Sequence, residues 1–160
     1  MQQFDPNIPG LIGGDVTTVV VIDPAGTFPP FEVGNHVLNP QDSFQINVAW
    51  EVNGLLRPVW LNALKPFGNW NVQAFAESIG GGPEILIASD NSVVPDPAVA
   101  NYSVTLTVPP NTLQEGDPGS NVSGIYKLVV SVFLNSNLGS PGFDMTGFNE
   151  GPIIQVENPL

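Results

Sequence analysis

His36 is the chain's single histidine, and a hydrolytic triad would need it as the base. It stands in VGNHVLNP, among turn-forming residues and with no Ser or Asp pattern beside it, so it reads as a turn histidine without a chemical role. Paired carboxylates are the other simple route to hydrolysis. Among fifteen acidic residues, Glu51 and Glu77 lie on neighbouring candidate strands, where alternation points both outward as solvated side chains. No phosphate loop, dinucleotide fingerprint or zinc spacing occurs. Cysteine is absent, which removes thiolate nucleophiles, cysteine metal sites and disulfides. The expectation is a non-enzyme with no cofactor.

Calcium is the one metal the composition invites. Acids and Asn cluster in DPN (5–7), SDNSVVPDP (89–97) and QEGDPGSN (114–121), and calcium takes six to eight oxygens from such loops. None of the three matches an EF-hand, and ordinary turn chemistry with Asp, Asn, Gly and Pro accounts for them. Two glycosylation-type tripeptides, at Asn101 and Asn121, carry little weight in so Asn-rich a chain.

Fifteen acids against three bases give a net charge of −12. That field repels nucleic acid and anionic lipid, both of which need Lys and Arg to displace counterions. The start, MQQFDPNIPGLIGG, has neither a basic region nor a continuous apolar run of the kind that makes a secretory signal. No apolar run approaches the roughly 20 residues that span a bilayer, so no membrane insertion is expected. The compartment stays open; an extracellular or assembly-associated setting fits best.

The elements that must position any site are strands. In DSFQINVAWEVNG, Phe44, Ile46, Val48, Trp50 and Val52 alternate with Gln45, Asn47, Ala49 and Glu51, the period of a half-buried strand. NYSVTLTVPP repeats the pattern with Tyr102, Val104, Leu106 and Val108. GIYKLVVSVFLNSN does so with Tyr126, Leu128, Val130, Val132 and Leu134. WNVQAFAESIG, EILIAS, VTTVVVID and GPIIQVENP complete a set of seven or eight, separated by turn signals such as DPAG, VNG, GGGP and EGDPGS. The best helical candidate, Trp60 to Leu64, is one turn at most. The pattern predicts an all-β antiparallel sandwich or barrel.

SGIYKLVVSV, behind the acidic loop LQEGDPGSNVSG, resembles strand F of immunoglobulin-like domains, whose tyrosine ties down the preceding loop. The resemblance implies an immunoglobulin-like β-sandwich with strand B at 43–52, C at 70–79, E at 101–108, F at 125–134 and G at 151–157. Tyr126 would be the corner tyrosine, bonded to backbone in 115–124. Trp50 or Trp70 would be the core tryptophan, and Leu128 stands where antibody domains have cysteine. It covers the last two-thirds of the chain at fold level and names no function.

LLRPVWLNALKPFGNW (55–70) joins B to C and holds two of the three tryptophans and two of the three bases. Its apolar side chains either cap the open end of the sandwich or dock, with Arg57 and Lys65, on an acidic face of another copy. An aromatic platform for a sugar is the remaining option. Residues 1–14 read as an extended tail ahead of a single sandwich domain at 15–160. In the tail, Pro6, Pro9 and the glycines oppose regular pairing, while Phe4, Ile8, Leu11 and Ile12 are free to meet a partner. The strand after it, 16–22, pairs either in its own sheet or in a neighbour's. The functional expectation is a structural or self-assembling subunit whose partners are other copies, contacting through Phe4, Ile8, Leu11, Ile12, Arg57, Trp60, Lys65 and Phe67. The alternative is a ligand-recognition module, carbohydrate-binding or calcium-assisted.

Overall fold

A computed structural model describes residues 2–26, 32–33, 36–136 and 143–159. It is an all-β sandwich whose pairings are antiparallel except for the parallel contact of residues 37–38 with 155–156. The strands are β1 (Gln2–Asp5), β2 (Gly13–Asp23), β3 (Glu32–Val33), β4 (Val37–Leu38), β5 (Phe44–Asn53), β6 (Trp70–Ser78), β7 (Glu84–Val93), β8 (Asn101–Val108), β9 (Ile125–Leu134) and β10 (Met145–Val156); the helix α1 (Arg57–Leu64) lies between β5 and β6. One sheet has the order β1-β10-β9-β6-β7, with β4 also on β10, and the other the order β3-β2-β5-β8.

The alternating residues face each other across the interior. Ile46, Val48, Trp50, Leu106, Tyr126, Leu128, Val130 and Val132 are all at most 2% exposed, with Phe44 and Tyr102 also buried and Val104 packed partly against them. Trp50 stacks on Tyr102 with centroids 5.6 Å apart, and Trp70 meets Trp50 edge-on at 5.7 Å. Both tryptophans are core residues.

The architecture is richer than the expected seven or eight strands. β10 starts at Met145 rather than 151: Gly147, Gly151 and Pro152 look like a turn, but the ladder absorbs Gly151 and Pro152 as an irregularity between Glu150 and Ile153. β7 likewise runs through Asp90-Asn91-Ser92, where a shift in the β6 register takes up the turn-like residues. The strand expected at 16–22 is longer, Gly13–Asp23, and pairs with β5 in its own sheet.

The largest departure is the tail. Residues 2–14 are not a separate arm: β1 joins the sheet beside β10, and Gly13-Gly14 open β2. Phe4 and Ile12 are buried in the chain's own core, at 8% and 1% exposure. The prolines do not prevent this because Pro6 and Pro9 fall in the 6–11 link, outside the paired residues. Phe4 fits because Gly14 and Gly147 leave room: a Cβ at either would run into the Phe4 ring.

The antiparallel connections sort the loops. Segments 6–12, 54–69 and 94–100, with residues 135–136 and 143–144, gather at one end, hereafter the α1 end; 79–83 and 109–124 lie at the other. No helix among the described residues is long and apolar enough to cross a membrane.

Candidate functional site

The residues with catalytic potential are dispersed. His36 is exposed and engaged through its backbone carbonyl, which accepts from the Gln155 N–H at 2.7 Å. Glu51 and Glu77, expected on neighbouring strands, sit in opposite sheets. Glu51 is at the α1 end of β5, and Glu77 is at the far end of β6 opposite Lys127. Consecutive strands in a sandwich commonly cross between sheets, so sequence adjacency did not mean spatial adjacency.

The acidic loops satisfy their own backbone. Asp90 Oδ1 accepts from the Ser92 N–H and hydroxyl, Asp96 Oδ1 from the Ala98 N–H, and Asp117 from the Gly119 N–H and Ser120 hydroxyl. The Ser120 hydroxyl, with the Gly119 N–H, holds the Asp117 carboxyl below its usual value. Among the described residues no group of three or more His, Asp or Glu is placed to hold a metal ion.

What the fold does assemble is a surface at the α1 end. α1 is longer than the single turn expected, because Pro58 occupies the first turn of the helix, where its missing N–H costs nothing. The helix puts Leu61 and Leu64 fully inside, with Leu56 and Trp60 packed partly on the core. Its other face presents Val59 at 69% exposure, next to Leu55 at 78%. Closing the open end of the sandwich and presenting an apolar ridge are therefore two faces of one element.

The tail's turn is bound to this ridge. The Leu55 N–H donates to the Gly10 carbonyl at 3.0 Å, and the Leu56 N–H to the Leu11 carbonyl at 2.8 Å. Gly54, at φ +101°, is what lets the two backbones come so close, since any Cβ there would strike Leu11. Ile8 and Leu11 stay substantially exposed beside Leu55. Of the predicted contact residues, then, Ile8 and Leu11 stay exposed on a turn hydrogen-bonded to the 55–56 backbone, while Phe4 and Ile12 are turned inward.

The bases divide differently. Lys65 is exposed at the end of α1, whereas Arg57 is half-buried with its Nε lacking a hydrogen-bond partner. Lys127 pairs with Glu150 at 2.7 Å on the far part of β9. That hydrogen bond raises the lysine and lowers the carboxylate from their usual values. An exposed pair of this kind adds little stability. Trp60 is anchored rather than free: its indole N–H donates to the Phe143 carbonyl at 2.9 Å, and its ring meets Phe143 edge-on at 5.3 Å.

A shallow cleft of about 350 Å³ opens beside α1, lined by Phe67, Gly68, Asn69, Asn71, Asn91 and Asn135. Phe67 is 39% exposed there, and Asn69 Nδ2 donates to the Asn91 carbonyl at 3.0 Å. Sequence reasoning named Phe67 but missed the asparagines, which lie on three strand ends and carry no periodic signal.

Two tyrosines hold the loops. The Tyr126 hydroxyl donates to the Gln114 carbonyl at 2.8 Å and accepts from the Gln114 N–H at 3.2 Å. This is a loop anchor of the kind expected, one residue outside the expected 115–124 window. Tyr126→Phe should cost on the order of 1 kcal/mol, the net worth of a hydrogen bond; equal urea midpoints for variant and parent would contradict it. Tyr102 does the same for 94–100, with its hydroxyl within 2.9–3.1 Å of the Asp96 carbonyl, the Val99 carbonyl and the Asp96 N–H. Burial pushes both phenols above their ordinary range.

No protein-family model matches this chain, and no curated protein matches it.

Proposed function

We propose that this chain is a non-enzymatic building block that associates with other copies of itself through the α1 end. The carrying observation is that backbone hydrogen bonds hold the tail's turn, with Ile8 and Leu11 exposed, against the start of α1, where Leu55 and Val59 are exposed. Side chains this exposed and this apolar lie together on a chain whose net charge is −12, and clustered apolar exposure marks interaction sites. Lys65, exposed at the other end of α1, offers positive charge to the acidic surface of a second copy. The tail contributes by its turn, not as a swinging arm.

The immunoglobulin-like reading of the fold is supported by strand neighbours. β5 with β8, β6 with β9, and β9 with β10 are the pairings that letters B–E and C–F–G require. Such sandwiches serve many functions, so the surface and not the fold carries the proposal.

The test is the double variant Leu55→Asp, Val59→Asp. Both side chains are exposed, so the fold should survive with unchanged circular dichroism, and light scattering should show the large species lost. Assemblies persisting unchanged in a folded double variant would refute the surface.

The Asn-lined cleft favours a second reading, a carbohydrate-binding module. An exposed ring beside side-chain amides suits sugar CH groups and hydroxyls, and Phe67 is so placed. Titration with neutral oligosaccharides, showing binding by the parent and loss in Phe67→Ala, would bring this reading forward.

A further inference from the structure

We propose that β8 is a self-complementary sheet edge through which two copies of this chain pair antiparallel about a two-fold axis at Thr105. The contact is separate from the α1 end and rests on the assembly reading only in that its occupant is another copy.

Among the described residues β8 terminates the sheet β3-β2-β5-β8. Its register with β5 is unbroken from Phe44↔Val108 to Glu51↔Asn101. The Val52 N–H donates to the Ala100 carbonyl. Hydrogen-bonded and non-bonded pairs alternate along an antiparallel ladder, so residues 102, 104, 106 and 108 turn their backbone groups toward β5. Ser103, Thr105 and Thr107 turn theirs to the open edge.

Proteins blunt open edges with shortness, charge, proline or bulges. The other outer strands do so here: β3 has two residues, β1 has four, and β7 carries Glu84, Asp90 and two register shifts. β8 has eight residues, NYSVTLTV, with no charge, no proline and no bulge. Val104 is the inward residue of β8 left only half-buried.

Identity of the occupant follows from symmetry and charge. When the outward groups engage each other, Thr105 lies opposite the partner's Thr105, and Ser103 opposite the partner's Thr107. Val104 then meets the partner's Leu106. The arrangement is isologous and closed, and Ser and Thr hydroxyls suit cross-strand pairs. Two copies at −12 each repel over most of their surface. Inward from this edge, however, the outer face reads Ser103, Thr105 and Thr107, then Gln45, Asn47 and Ala49, then Thr18, Val20 and Ile22. None carries charge; Glu51 and its β2 neighbour Asp15 sit only at the strand ends, in the row of Asn101. A cationic partner would be drawn to the acidic surfaces instead; the uncharged strip suits a second copy.

The experiment is sedimentation equilibrium on the full chain with Thr105→Lys and Thr105→Val. The parent should associate, and in the Leu55→Asp, Val59→Asp background association should stop at the dimer. Thr105→Lys sets two ammonium groups opposite each other on the axis and should weaken dimerisation by about ten-fold or more; Thr105→Val keeps a β-branched strand residue and should change it little. In the parent, hydrogen exchange at the Ser103, Thr105 and Thr107 amides should slow as concentration rises, a readout that needs no variant. A parent that stays monomeric overturns the proposal, as does a folded Thr105→Lys that dimerises like the parent. Equal protection at all concentrations also overturns it, since the edge would then be covered within the chain. Leu55→Asp, Val59→Asp should leave this dimer intact, which separates failure here from failure of the α1-end reading.

Discussion

Trp70→Ala is expected to remove about 3–5 kcal/mol of folding stability, the usual cost of deleting a large aromatic from a packed interior. Trp70 is 0% exposed. It packs edge-on against Trp50 and at 52° to Tyr102, both at 5.7 Å, so its loss opens a cavity between the two sheets. It also loosens Tyr102, whose hydroxyl holds 94–100 in place. Domains of this size have total stabilities of about 5–15 kcal/mol, so the variant should sit near its unfolding threshold at room temperature. Urea titration checks this: the midpoint should fall steeply with little change in slope. A loss below about 1 kcal/mol would mean that the three-ring cluster is not the centre of the core. Trp60, half-buried and held through Phe143, should cost distinctly less on the same substitution.

Phe4→Ala should cost about 3 kcal/mol, although Phe4 lies in a segment that reads as a detachable tail. The ring is 8% exposed and occupies the slot that Gly14 and Gly147 leave open. Ile8→Ala and Leu11→Ala, on the exposed turn, should stay within about 0.5 kcal/mol. Thermal or urea unfolding of the three variants at low concentration distinguishes an integral strand from an external arm. An arm would leave the Phe4 variant as stable as the other two.

The central strands were legible because their two faces differ in chemistry. Phe44 to Val52 and Tyr102 to Val108 alternate, Tyr126 to Leu134 does so with a second face that is half apolar, as in a central strand, and the observed β5, β8 and β9 follow the expected bounds within a residue. Legibility failed where turn-forming residues sit inside ladders. Gly147, Gly151 and Pro152 hid the first half of β10, and Asp90-Asn91-Ser92 hid the end of β7. Each marks a register shift or a close approach, which local composition cannot distinguish from a true turn. α1 was hidden by Pro58, which serves equally well in a loop or in the first turn of a helix.

The candidate site was legible by residue but not by direction. The sequence marks Phe4, Ile8, Leu11 and Ile12 as apolar residues in need of cover. Only the fold shows that Phe4 and Ile12 find it at home while Ile8 and Leu11 do not. The hydrogen bonds from Leu55 and Leu56 to the 10–11 backbone span more than forty positions, and no periodicity reports such a contact. Arg57 illustrates the same limit: its charge suggested a docking residue, yet helix phase leaves its Nε buried.

Sedimentation velocity of the unmodified chain across a wide concentration range tests the assembly claim most directly. A surface that docks through the α1 end onto a different face of the next copy does not close at two subunits, so species should grow past the dimer as concentration rises. A 16.9 kDa monomer at every concentration, or growth that halts at twice that mass, would contradict it.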